Sequence, residues 1–201
     1  MTTRSRVAAA TIVLVMCAGI LAAACGSGAS GSKNRARPGR STGASPHIPA
    51  GYIRVQAAGV SFAHPPGWQR TQPPKGMSLQ VELRSGGSQV AQAGVIADAP
   101  QVDNVRLVIE AARAGLLFHV AKPDFKPFQR PEVPGATAAL RNSYTYENVV
   151  NGQPTGDLAR GTDVGVVFGG HRAVIVRITG LQSHLDAATV DQIVRTISVE
   201  S

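Results

Sequence analysis

The chain has 201 residues, enough for one ordinary domain behind a targeting segment, and a formal net charge of +8. That charge is local: Arg4 and Arg6 open the chain, and Lys33, Arg35, Arg37 and Arg40 follow in one segment. From Ala50 onward 14 basic residues stand against all 12 acidic ones. A near-neutral body speaks against nucleic acid as a partner.

Met1 to Cys25 has a short basic start, eighteen uncharged residues from Val7 to Ala24, and a cysteine after three alanines. A positive start, an apolar stretch and small residues before a cut site are the parts of a secretory signal. Leu21-Ala22-Ala23-Ala24-Cys25 resembles the bacterial lipobox, although the leucine sits one place further out than usual. Cys17, with Leu14 three before it, is the rival, but the bulk of Met16 fits a small-residue cleavage pocket poorly. The resemblance implies a signal peptide over 1–24, and a Cys25 that carries a diacylglyceryl group as the first mature residue. Two readings stand beside it: a membrane span, since eighteen apolar residues reach the lower limit for crossing a bilayer, and secretion without lipid. Several acyl chains hold a protein firmly where one does not. The expected location is therefore the outer face of the cytoplasmic membrane.

Residues 25–49 are glycine, serine, proline and basic side chains with almost nothing apolar. Such a segment buries too little to offset ordering and reads as a flexible tether, its charge drawn to anionic headgroups. Gly26-Ser-Gly28-Ala-Ser-Gly31 and Ser30-Gly-Ser-Lys33 match phosphate-loop and nucleophile patterns by composition alone, since neither has a strand or helix around it. Both cysteines precede Gly26, so the folded part, 50–201, has no disulfide and stands on its core. Arginine outnumbers lysine 16 to 4, a bias of GC-rich genomes that suits an actinomycete.

Within that part, Tyr52–Gln56 and Val60–His64 read as a hairpin, stopped by Pro65-Pro66-Gly67 ahead of Trp68. Met77–Arg84 and Val90–Asp98 read as a second. Val105, Val108, Ile109, Ala112 and Leu116 recur with helical period, and Asp103 is the expected N-cap. A proline-bearing loop follows over Lys122–Gly135, with an edge strand at Phe125–Gln129. Ala136–Glu147 alternates, placing Tyr144 and Tyr146 on one face with Ala136, Ala138 and Leu140. Strands at Ala159–Phe168 and Ala173–Thr179 hinge on Gly169-Gly170, and a final helix over Asp186–Ile197 buries Val190, Ile193, Val194 and Ile197. This order is α+β: an antiparallel sheet flanked by helices.

Val60-Ser-Phe62-Ala-His64-Pro65-Pro66-Gly67-Trp68 resembles the strand and Pro-x-Gly-Trp opening of PsbP-like domains, a fold shared with the Ran-binding Mog protein. Val190-Asp-Gln-Ile193-Val194-Arg-Thr-Ile197 resembles that family's terminal helix. With the signal and tether, the whole is similar to the LpqN/LpqT-type lipoproteins of actinobacteria. The resemblance implies an α/β/α sandwich over Tyr52–Val199 that works by binding, with an envelope protein or glycolipid as partner.

Catalytic patterns are missing. His47, His64, His119, His171 and His184 lack metal-ligand spacing, and His64 and His171 read as solvated strand-end histidines. Gly59-Val-Ser61-Phe-Ala63 fails as a nucleophile elbow at its last position. Asp157 and Asp163 flank Arg160 and read as solvated charges rather than a carboxylate pair. No enzyme, cofactor or metal is expected beyond the covalent lipid. Contact residues are sought in Tyr144 and Tyr146, read as core or as an aromatic floor, in Trp68, and in Phe118 within the apolar run Leu116–Val120. A docking module for a protein partner is the first expectation. A lipid or glycolipid carrier with an internal pocket is the second, and an envelope hydrolase a remote third.

Overall fold

The computed structural model describes residues 46–97, 99, 102–150 and 152–200; the signal segment, Cys25 and most of the tether lie outside them. β1 (Ile53–Ala57) and β2 (Val60–His64) form the expected first hairpin, and β10 (Ser198–Val199) pairs with the other edge of β2. All five residues of β2 are buried, because this central strand is covered on both faces and flanked on both edges. His64 is therefore only 2% exposed, which corrects the solvated reading. The turn after β2 folds Trp68 back so that its ring stacks on His64 at 6.2 Å, and His64 Nδ1 lies 2.9 Å from the Pro65 carbonyl.

The second, larger sheet is built from β3 (Gln69–Thr71), β4 (Met77–Ser85), β5 (Ser88–Ile96), β6 (Ala121–Phe125), β7 (Ala138–Val150), β8 (Gln153–Phe168) and β9 (Arg172–Leu181). Its order is β3-β4-β5-β9-β8-β7-β6, antiparallel throughout. The edge strand expected at Phe125–Gln129 instead ends at Phe125. Pro127 has no N–H to give, and beyond it only Gln129 bridges to β7.

Alternation along β8 assigns the two faces. Val164, Val166 and Phe168 join Val81, Val176 and Ile178 in one core, closed by the small sheet and by α2 (Ala187–Arg195) through Val190 and Ile193. Asp186 caps α2, accepting from Thr189 N at 2.6 Å. The opposite face lies under α1 (Val105–Leu116), where Val108 meets Val167 and Ile175. The helix sits close because Gly165 offers no side chain: a β-carbon there would stand 2.8 Å from Ile109 Cγ1. Asn104, not Asp103, is the N-cap of α1, accepting from Arg106 N, while Asp103 pairs with His171. The architecture is the α+β sandwich expected, with helices on both sides of an antiparallel sheet.

Candidate functional site

Beyond the apolar seat of α1, the same face of the large sheet turns polar and aromatic. Tyr144 is 1% and Tyr146 5% exposed, with ring centroids 6.0 Å apart; Phe125 closes on Tyr144 at 5.8 Å. Leu116 of α1 and Ala159 of β8 complete this cluster. The two tyrosines are core side chains. Burial pushes the Tyr146 hydroxyl up to about 12 and raises Tyr144 well above its ordinary value.

Beneath them lies an ion pair. Arg177 Nε donates to Asp163 Oδ1 at 2.7 Å and Nη2 to Oδ2 at 2.8 Å, a bidentate grip across β8 and β9. Asp163 is fully buried, which corrects the reading of both aspartates as solvated; only Asp157 is exposed. The reason is strand phase: Asp163 shares a face with Gly165 and Val167, inward under α1. Burial alone would lower the Arg177 pKa, but the facing carboxylate outweighs it and holds the guanidinium charged. With both oxygens taken up by Arg177, Asp163 is poorly placed to serve as a base. Among the described residues no three His, Cys, Asp or Glu side chains gather to hold a metal ion.

The pair was findable from the sequence. Counting seven places either way from Gly170, the centre of the β8–β9 turn, gives Asp163 and Arg177. Asn142, also fully buried, falls in phase with Leu140 and Tyr144 but was left out of the sequence-based face.

A hollow on this face, lined by Gln92, Tyr146, Asn148 and Thr179 among others, holds about 20 Å³. That is room for one water and none for an acyl chain. A shallower groove of about 290 Å³ runs along the sheet edge between Lys122, Glu147 and Leu158, open to solvent.

The outside of α1 is different. Leu107, Ala111, Ala114 and Phe118 fall at i, i+4, i+7 and i+11, and all are exposed. Leu107 is 52%, Leu117 58% and Phe118 83% exposed, a second apolar stripe turned away from the core. Arg106 and Glu110 pair beside it at 2.7 Å, and Arg113 lies 4.1 Å over the ring of Phe125. Of the four contact residues sought in the domain, Trp68, Tyr144 and Tyr146 are buried and Phe118 stands in solvent. Cys25 is outside the described residues.

No family model matches the sequence, and no curated protein matches it. In fold the chain is similar to the crystal structure of LpqN, a protein of Mycobacterium tuberculosis described as involved in cell envelope biogenesis. The identity is 11%, the TM-score 0.50, and the match covers 75% of this chain and 91% of that one. It is also similar to the Ran-binding protein Mog1p of Saccharomyces cerevisiae, at 10% identity and TM-score 0.48, over 74% of this chain and 95% of that one. At these identities the likeness to LpqN establishes the fold.

Proposed function

We propose that this chain is an exported lipoprotein, anchored through Cys25 to the outer face of the cytoplasmic membrane, whose domain is a non-catalytic binding module for a protein of the cell envelope. The observation that carries the binding reading is Phe118, 83% exposed at the end of α1 beside Leu117 at 58%. Covering such a side chain returns about 2 kcal/mol, so an apolar groove on a partner is the surface it suits. The anchoring reading rests on the run from Met1 to Cys25, with its basic start, apolar stretch and cysteine after alanines. The likeness in fold to a protein involved in envelope biogenesis supports the setting.

Two experiments test the parts separately. Cys25→Ser should release the protein to the medium or leave it uncleaved; a fully processed mutant still held on the membrane would sink the lipid anchor. A photoreactive residue at position 118 in intact cells should crosslink to one envelope protein. Crosslinks no different from those at exposed Lys75 would reject α1 as the docking surface.

A further inference from the structure

On the α1 side of the large sheet one row of residues crosses the strands in register: Tyr144, Gly161, Thr179 and Gln92. Thr179 is 3% exposed and Gln92 4%, yet Thr179 Oγ1 and Gln92 Nε2 have no hydrogen-bond partner. The Gln92 amide is held at its other end, where Oε1 accepts from Gln89 Nε2 at 2.6 Å. Gln92 and Thr179 both line the hollow of about 20 Å³, together with Tyr146 and Asn148. Buried polar groups almost always find a partner. A cavity takes a water once it offers roughly 10–15 Å³ and two to four polar contacts, and this hollow meets both conditions. A sugar ring or acyl chain needs a pocket on the order of several hundred Å³.

We propose that an ordered water molecule occupies this hollow, accepting a hydrogen bond from Gln92 Nε2 and sharing another with Thr179 Oγ1. Its place in the topology gives it a task. The β5–β9 pairing joins the β3-β4-β5 part of the sheet to the β9-β8-β7-β6 part, strands far apart in sequence. Thr179 and Gln92 face each other across that seam, so the water ties the two parts side chain to side chain.

High-resolution crystal structures of the intact chain and of its Thr179→Val form test this. The unmodified chain should hold an ordered water within about 2.7–3.2 Å of both atoms, and Thr179→Val should lose or displace it. A dry hollow, or Gln92 Nε2 donating directly to Thr179 Oγ1, overturns the proposal. If Thr179→Val does not fold, Thr179→Ser keeps the hydroxyl and must keep the water; its absence there is equally decisive.

Discussion

The ring of Tyr144 lies over the backbone of Gly161, its partner across β7 and β8, so closely that a β-carbon on Gly161 would stand 2.2 Å from Tyr144 Cε2. The ring is in turn packed in a cluster with Leu116, Tyr146 and Ala159 and has nowhere to retreat. Gly161→Ala is therefore expected to cost about 1–3 kcal/mol by overpacking. Tyr144→Leu should relieve much of that in the double mutant, a coupling of about 0.5–3 kcal/mol in denaturant unfolding. Strict additivity would mean that the ring and the glycine do not share this space.

The Asp163–Arg177 pair should behave as a unit. Asp163→Asn leaves a charged guanidinium largely buried without its counter-ion, and a loss of about 3–5 kcal/mol is expected. Replacing both by apolar residues, as in Asp163→Leu with Arg177→Met, should recover most of it. Denaturant unfolding of the three forms checks this; an Asp163→Asn protein as stable as the original would contradict the geometry.

Alkaline stability follows from the tyrosines. All three, Tyr52, Tyr144 and Tyr146, have pKa values raised by burial, Tyr146 to about 12. A group whose pKa is raised on folding contributes its stability in full below the unfolded value, near 10, and loses it as pH climbs to the folded value. Tyr146 alone then accounts for about 2–3 kcal/mol lost between pH 10 and 12. An absorbance titration should show no tyrosinate forming at the ordinary pH while the fold persists, and Tyr146→Phe should flatten the alkaline limb of the stability curve. Ordinary reversible ionisation of Tyr146 in the folded protein would refute this.

Two neighbours at the end of α1 should respond in opposite ways. Leu116 is 5% exposed and packs on both core tyrosines, so Leu116→Ala should cost about 2–5 kcal/mol. Phe118 touches water, and Phe118→Ser should stay within about 0.5 kcal/mol of the original. Thermal melts of the two variants decide it, and a large loss from Phe118→Ser would show the ring to be seated in the fold.

The helices were legible in the sequence because a 3.6-residue period survives without reference to anything distant. The Val105–Leu116 stripe gave α1 its bounds, although its cap lay one residue further on. β3 and β10, three and two residues long, left no pattern, since only their hydrogen bonds to β4 and β2 define them. His64 was misread because its cover comes from flanking strands and a returning tryptophan. Asp163 was misread because its neutralising partner is 14 positions away, and local charge says nothing of register. Phe118 was singled out correctly as surface-accessible, but the stripe reaching back to Leu107 emerged only when α1 was seen to bury its other side.

β2 is flanked on one side by β1, its immediate predecessor, and on the other by β10. Ser61 meets Ser198 at 3.0 Å across a separation of 137 positions, and Arg54 reaches both serines. The β1–β2 hairpin is thus local in sequence, whereas the second edge of β2 stays unpaired until β10 reaches it from the far side of the domain. The small sheet acts as a latch that β10 closes on β2 across the whole domain. Truncation just before Ser198 would leave the hairpin with an open edge, a surface on which another chain's strand could pair.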